Sequence, residues 1–225
     1  MGLLPYLFAA FLAYIIDHQN SGVAIGNWLT GLLATQATSS SYRLVFALGT
    51  VVLVLAACIP TWGTSYLQAE VMRDARVHTE RLLADGPYRY VRNPLYFGNI
   101  LLGLGLMASR IGFLILSIGL TVFVLRLILR EESELQRGQG DLYRRYCAAV
   151  PRLLPSLTAR VPPARSAPRW GQAFRAEMMY WLRALSMAVY AFTLRLRPFW
   201  AVCAIAIASS WLLKRPGTQQ KSPLS

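Results

Sequence analysis

Long stretches without charged residues are the feature of this sequence that most restricts its fold. Residues 44–59, 94–108 and 111–125 contain no Lys, Arg, Asp or Glu. A helix that crosses a bilayer needs roughly 20 apolar residues, or about 17 at the short end. The runs are continuous rather than alternating, which argues against a transmembrane barrel. We therefore predict an all-α fold, a polytopic integral membrane helical bundle with about five transmembrane helices.

Weaker apolar runs and a proline-rich segment complete the predicted organisation. The segment 151–168 is interpreted as a linker or as a segment that lies along the surface. The N-terminus lacks a basic n-region, so its first run is predicted to be retained rather than cleaved as a signal peptide. The weaker runs are 3–16, 23–34, 174–194 and 200–213. The predicted parts are 1–78 with the N-terminal transmembrane helices and a connecting loop, a central core 79–157, and 158–225 with the Pro/Arg-rich linker and C-terminal hydrophobic helices.

The chain is strongly basic, with 23 Lys and Arg against 10 Asp and Glu and a net charge of +13. Most arginines flank apolar runs, where they retain loops in the cytoplasm and meet anionic lipid headgroups. Segments 61–93 and 126–169 are therefore predicted to be cytoplasmic, with membrane lipids and not nucleic acid as partners. Two separated histidines and three cysteines without a CxxC pair predict no metal site.

Residues 86–99 read GPYRYVRNPLYFGN and place two arginines and three tyrosines around the start of an apolar run. Arginines that extend to the membrane surface and tyrosines that anchor there explain any single residue well. They explain the whole cluster less well. A binding site at the membrane surface is the alternative interpretation.

Two further features belong to the same pair of helices. Gly103 and Gly105 permit either close helix packing or close approach of a ligand, and packing is favoured. In LRLILREESELQ, Glu131 and Glu134 share one helix face and Glu132 points elsewhere. These carboxylates either belong to a solvated helix end or, where partly buried, require a partner.

Together these features predict a cofactor pocket that faces the cytoplasm at the level of the lipid headgroups. Arginines suit an anion, aromatic rings suit a flat base or a cation, and carboxylates suit a positive charge. S-adenosylmethionine combines a carboxylate, an adenine, a ribose and a sulfonium. It is the predicted cofactor.

Residues from about 79 to 157 resemble the superfamily of isoprenylcysteine carboxyl methyltransferases and phospholipid methyltransferases. The resemblance rests on GPYRYVRNPLYFGN, REESEL, GQGDLYRRYCAAVPRLLP and the GxG at residues 103–105. The family's RHPxY element falls on Arg92, Asn93, Pro94 and Tyr96, with asparagine in place of histidine. Asparagine forms hydrogen bonds but does not titrate. In the family's FGxxYxxY element, Gln139 replaces phenylalanine, which would reshape the adenine end of the site.

The resemblance implies that an S-adenosylmethionine-dependent methyltransferase core occupies 79–157. A glutamate would hold the cofactor or orient an amine, and an arginine would take a carboxylate; Arg152 would help to close the cytoplasmic side. The implied catalytic residues are Glu131, Glu132, Arg92 and Asn93. The implied cofactor-binding residues are Arg89, Tyr90, Asn93, Pro94, Tyr96, Gly98, Gly103, Gly105, Glu131, Glu132, Tyr143 and Tyr146.

The acceptor and two other functions stay open at the level of sequence. A lipid-like acceptor would be a prenylated cysteine carboxylate or a phospholipid amine, and a small isoprenoid acid or a thiol is not excluded. Membrane sterol reductases, which use a nicotinamide dinucleotide, carry a similar Gly-Pro-Tyr stretch. The Glu131–Glu132 doublet argues against them because added anions repel nucleotide phosphates. A non-catalytic scaffold is the third interpretation, since Asn93 and Gln139 depart from the family pattern.

Overall fold

The structure, a computed structural model, describes residues 12, 15–32, 36, 38–74, 84–106 and 110–213. These residues form helices and no named strands, which confirms the all-α prediction for this part of the chain. A 3₁₀ turn, Gly86–Arg89, precedes α3. The helices are α1 Ser21–Leu32, α2 Ser39–Asp74, α3 Pro94–Gly105, α4 Arg110–Ala149, α5 Trp170–Ala176, α6 Met178–Thr193 and α7 Leu196–Leu213.

Helix α2 is the centre of the bundle and packs against α1, α3, α5 and α6. Its Phe46 and Leu53 are buried in one cluster with Met187 and two alanines of α6. The ring of Phe46 meets that of Tyr190 edge to face at 4.7 Å between centroids. Close packing of these side chains fixes the register of α6 against α2.

Helix α2 extends further than the sequence analysis predicted. The apolar run was expected to end near Pro60, with a polar connection from residue 61 onward, but the helix continues to Asp74. Pro60 is tolerated inside the helix because its ring fills the space beside Gly98 of α3. Beyond it, Trp62 and Tyr66 place aromatic rings one turn apart on this continuing helix.

Two described helices are long and apolar enough to cross a membrane, Ser39–Leu67 and Ile111–Ala149. Pro94–Gly105 and Leu196–Ile205 are shorter apolar helices. The count of five spans stays a prediction, and most of the run 3–16 lies outside the described residues.

Helices α3 and α4 contact each other, as expected for two apolar runs that are separated only by residues 109–110 and therefore form a helical hairpin; this short break lies largely outside the described residues. From Arg110 to Glu132, α4 rises about 33 Å, close to the hydrocarbon thickness of a bilayer. Glu132 therefore lies one membrane thickness from the start of α4. At Gly140 the backbone leaves helical geometry (φ 58°, ψ −126°), so residues 141–149 take a new direction.

Close approach of α3 to α2 depends on glycine. An added Cβ on Gly98 would overlap the ring of Pro60 and lie 3.2 Å from the carbonyl oxygen of Ala56. An added Cβ on Gly105 would lie 2.7 Å from the side chain of Leu53. Small residues at such crossings let helix backbones approach closely. The packing interpretation of the glycines on α3 therefore fits these contacts.

Gly98→Ala is expected to lower the free energy of unfolding by about 1–3 kcal/mol, because the methyl group overpacks a rigid proline ring. Thermal unfolding in detergent, followed by circular dichroism, measures this loss. Gly138→Ala is the matched control, since no atom lies within 4 Å of its added Cβ. That control is expected to be neutral or slightly stabilising, and equal midpoints for the two variants would contradict the packing role of Gly98.

Residues 150–169, which we call the strap, have irregular backbone and lie along residues 84–92. Backbone N–H groups of Ser156 and Arg160 donate to the carbonyl oxygens of Tyr90 and Arg89, at 3.0 and 2.8 Å. The N–H of Arg92 donates in return to the carbonyl of Pro151 at 2.9 Å. The segment predicted as linker or surface-lying thus lies on the surface. The predicted boundary between residues 157 and 158 falls inside it.

Candidate functional site

The site begins with the sharp turn that leads into α3. Gly86 has φ 54°, a left-handed conformation that glycine adopts without a steric penalty, and its neighbours are the rings of Tyr66 and Trp62. Pro94 occupies the first turn of α3, where its missing N–H is not needed. The turn therefore brings Arg92 and Asn93 to the end of the α3–α4 pair.

Asp85 fixes the strap to this turn. Its carboxylate accepts the backbone N–H groups of Arg165 at 3.0 Å and Ser166 at 2.7 Å, and also the hydroxyl of Ser166. Burial raises the pKa of Asp85, but the hydrogen bonds from Ser166, Arg165 and Ala164 together hold that pKa below its ordinary value. The ionised carboxylate therefore holds the strap in place.

Because the pKa of Asp85 is lower in the folded chain than in the unfolded chain, its ionisation stabilises the fold. This contribution is complete above the unfolded pKa of about 4 and is lost as pH falls through the folded pKa. Asp85→Asn is expected to lower the thermal midpoint at pH 7, by about 1–3 kcal/mol of unfolding free energy. The difference in thermal midpoint between the wild type and the variant should shrink below about pH 4. A gap that stays constant down to pH 2.5 would contradict this role.

Glu132 is the centre of a buried ionic cluster. Only 5% of the residue is exposed, and its carboxylate is 3.0 Å from the guanidinium of Arg92 and 2.9 Å from that of Arg152. The side-chain amide of Asn93 donates to the same carboxylate at 3.1 Å and to the carbonyl of Arg152 at 3.0 Å. The expectation that a carboxylate here has a partner is met by two arginines of this chain. Asn93 needs no titrating proton for this role.

Glu131 lies next to Glu132 in sequence but in a different environment. It is exposed, and its carboxylate accepts the hydroxyl of Tyr96 at 2.5 Å. Glu134 is also exposed and pairs with Arg130 at 3.1 Å on the helix surface, a pair of small energetic value. As predicted, Glu132 faces away from Glu131 and Glu134. The doublet thus provides one buried, neutralised carboxylate and one accessible carboxylate.

Arg92 is nine-tenths buried and organises the inner wall of the cluster. Its terminal nitrogen donates to the thiol of Cys147 at 2.8 Å, and the buried Tyr143 lies one helical turn before that cysteine. The buried Nε of Arg92 has no hydrogen-bond partner among the described residues. A buried, unpartnered N–H beside a guanidinium charge suits one oxygen of an anionic ligand.

Other predicted site residues support the turn rather than the ionic cluster. The Nε of Arg89 donates to the carbonyl of Val161 at 2.9 Å, and the hydroxyl of Tyr146 donates to the carbonyl of Tyr88 at 2.7 Å. The ring of Tyr90 lies 5.9 Å from that of Trp62, between centroids. Direct contacts of Arg89, Tyr90 and Tyr146 with a cofactor stay predictions.

The predicted glycines of α3 lie deeper in the bundle. Gly103 is ten residues after Asn93, about 15 Å along the helix, and an added Cβ would meet Leu120 of α4 at 3.0 Å. Gly98 and Gly105 contact α2 instead. All three are occupied by helix packing, and a cofactor contact at these positions stays a prediction.

Sequence reasoning missed Cys147 and Trp62. Cys147 follows Tyr143 by one helical turn in YRRYC, so helical periodicity places the two side chains on one face. Trp62 was missed because it follows Pro60, where the helix was expected to end. Arg152 was expected to close the site, but not to bind Glu132. Its position depends on the strap, for which the sequence has no periodic pattern.

Comparison with protein families finds one match: residues 44–141 match the model of the family described as phospholipid methyltransferase. The match covers a little under half of the chain and includes most of α2, all of α3 and most of α4. No curated protein and no solved structure matches the chain. The match confirms the resemblance that the motifs indicated. With the two long apolar helices, it points to a membrane protein and supports methyl transfer as the activity.

Proposed function

Because residues 44–141 match the phospholipid methyltransferase family, we propose that this chain transfers a methyl group from S-adenosylmethionine to a lipid-like acceptor at the membrane surface. One observation carries the proposal for this site. The buried Arg92–Glu132 pair presents an unpartnered guanidinium N–H, and the accessible Glu131–Tyr96 pair lies next to it in the chain.

The chemistry of these side chains fits the two charges of the cofactor. The unpartnered Nε of Arg92 suits the cofactor's carboxylate, because a charge-assisted hydrogen bond would satisfy a buried donor. The accessible carboxylate of Glu131 suits its ammonium or sulfonium. The neighbouring rings of Trp62 and Tyr90 offer aromatic faces for a flat purine.

When bound, S-adenosylmethionine supplies a methyl group whose bond to sulfur breaks as the acceptor's lone pair attacks, the bond electrons remaining on sulfur. The chain needs no nucleophilic side chain of its own for this displacement. Its residues hold donor and acceptor in line, which supplies several kcal/mol through proximity. Glu131 would receive the proton that an ammonium acceptor must lose, and the hydroxyl of Tyr96 would keep that carboxylate oriented.

We place the site on the cytoplasmic side of a multi-pass protein. Exposed arginines are concentrated at the ends of the helices that carry the Glu132 cluster, in residues 130–175. At the opposite ends lie four arginines, Arg43, Arg110, Arg195 and Arg197. The excess of basic residues on the site's side supports this orientation by the positive-inside rule.

A phospholipid amine is the acceptor we favour. The family that the chain matches is described as phospholipid methyltransferase, and Glu131 provides an accessible anion for a cationic headgroup. A prenylated cysteine carboxylate would instead need a free cation at the same place. Arg152 is paired with Glu132, and the one unpartnered N–H of Arg92 is the group that we assign to the cofactor's carboxylate.

Calorimetric titration of the protein in phosphatidylcholine nanodiscs tests the cofactor. We expect S-adenosylhomocysteine to bind with micromolar affinity and reduced nicotinamide dinucleotide phosphate not to bind. Glu131→Gln should weaken that binding at least tenfold, whereas Glu134→Gln, which neutralises an exposed carboxylate on the same helix, should not. Binding of the dinucleotide alone would replace this proposal with a reductase, and binding of neither would indicate a non-catalytic scaffold.

The acceptor is tested separately with methyl-labelled S-adenosylmethionine. Nanodiscs that contain phosphatidylethanolamine should accumulate label in the lipid fraction, and nanodiscs that contain a prenylated cysteine methyl acceptor should not. The reverse result would keep methyl transfer and overturn the choice of an amine.

A further inference from the structure

The strap and α5 form a cationic surface next to the site. No Asp or Glu occurs between Asp141 and Glu177. Five arginines within the strap and α5 are exposed: Arg152, Arg160, Arg165, Arg169 and Arg175. An exposed segment that has this charge and no acid repels itself unless anions lie against it.

The same surface exposes large apolar side chains. Leu154 is 72% exposed and Leu157 is fully exposed, while Trp170 and Phe174 are about half exposed. Trp170 and Phe174 lie one turn apart on α5, with their ring centroids 6.5 Å apart. Arginines mixed with exposed leucine and aromatic side chains are typical of segments that lie in the membrane interface.

The position of the strap also places it at the membrane surface. The N–H of Arg169 donates to the carbonyl of Ser65 at 2.9 Å, near the end of the long apolar part of α2. Helix α5 leads directly into α6, which packs along that part of α2. The strap therefore lies where apolar helices reach the headgroup region.

We propose that the strap and α5 bind the headgroups of anionic phospholipids, and that this contact holds Arg152 on Glu132. Arg160, Arg165, Arg169 and Arg175 attract the phosphates, while Leu157 and Trp170 enter the apolar edge of the leaflet. Lipid binding by the strap can affect the site because the first residues of the strap are hydrogen-bonded to Arg92 and Asn93. Pro151 accepts from the backbone of Arg92, and the carbonyl of Arg152 accepts from Asn93.

An acidic protein or a nucleic acid would also attract the arginines, but neither accounts for the exposed leucines and aromatic rings beside α6. The proposal concerns lipid binding by the strap. It holds whether or not the site transfers methyl groups, and its test uses no substrate.

Hydrogen–deuterium exchange of the full chain in nanodiscs tests the proposal. Nanodiscs of phosphatidylcholine are compared with nanodiscs in which about one third of the lipid is phosphatidylglycerol. We expect hydrogen exchange at the backbone amides of Ser156, Arg160 and Ala164 to slow by at least about fivefold in the anionic nanodiscs. A change of about fivefold is the effect expected from the attraction of one arginine to an anionic membrane surface. Raising NaCl to 0.5 M should remove most of this slowing by screening.

Two triple variants with equal charge loss separate the strap from general charge effects. Arg160→Gln/Arg165→Gln/Arg175→Gln should lose the slowing. The control Arg43→Gln/Arg195→Gln/Arg197→Gln removes three exposed arginines at the opposite helix ends and should keep it. Equal exchange of wild type in the two lipids, or equal loss in both variants, would overturn the proposal. If the strap variant does not fold, the wild type alone tests the proposal: slowing in anionic nanodiscs that persists in 0.5 M NaCl would overturn it.

Discussion

Glu132→Gln is expected to lower the free energy of unfolding by about 3–5 kcal/mol, because it leaves the charge of Arg92 buried without a counterion. Arg152 keeps access to water because its side chain is 46% exposed, so most of the cost falls on Arg92. Chemical denaturation in a mild detergent, followed by tryptophan fluorescence, measures the loss. A loss below 1 kcal/mol would contradict the burial of this pair.

The control for this variant is the double replacement Arg92→Met/Glu132→Leu. Apolar side chains of similar volume often replace a buried ion pair without loss of stability. The double variant should therefore be clearly more stable than Glu132→Gln. Comparing it with the single variants Arg92→Met and Glu132→Leu in a double-mutant cycle gives the coupling energy between the two residues. It should still fail to bind S-adenosylhomocysteine, which separates the structural role of the pair from its proposed function.

Glu131→Gln is expected to reduce kcat/KM for methyl transfer by about 100-fold or more, with no change in the thermal midpoint. The side chain is exposed, so the fold does not depend on it, and the only effect is on charge and proton acceptance at the site. Tyr96→Phe removes the hydroxyl that orients this carboxylate and should cost about tenfold. Wild-type turnover of Glu131→Gln would remove Glu131 from the mechanism.

Glu134→Gln is the matched control for Glu131→Gln. Glu134→Gln changes a carboxylate one turn along the same helix, where its partner is Arg130. It should leave both turnover and stability unchanged, because exposed pairs of this kind contribute little. A loss of turnover in Glu134→Gln would show that the site responds to the total charge of the helix end rather than to Glu131.

Much of the helical core follows from the sequence because apolar runs and helix periodicity are local signals. The uncharged runs predicted α3 and the apolar parts of α2 and α4, and the periodicity of REESEL predicted that Glu132 turns away from Glu131. A buried carboxylate needs a partner. That rule predicted a partner for whichever of the carboxylates is buried, without singling out Glu132, and the family resemblance placed Glu132 and Arg92 in one site.

The partners that come from irregular backbone could not be predicted in the same way. Arg152 reaches Glu132 only because the strap is held by Asp85 and by residues 89–92, through contacts between parts of the chain that are distant in sequence. Proline at position 60 suggested the end of a helix, since it removes a backbone donor. Its ring instead fills a groove created by Gly98, a tertiary effect that overrides the local preference.

The bend at Gly140 determines how the two walls of the site are connected. Residues before it carry Glu131 and Glu132, and residues after it carry Tyr143, Cys147 and Arg152. Glu132 and Arg152 are only 20 positions apart in the chain, so closing the loop between them costs little conformational entropy. Once the strap is in place, the Glu132–Arg152 pair can therefore re-form quickly after a local opening, whereas Asn93 joins the cluster across 39 positions. The short connection through Gly140 keeps this carboxylate and Arg152 near each other even when α3 shifts against α4 in the bilayer.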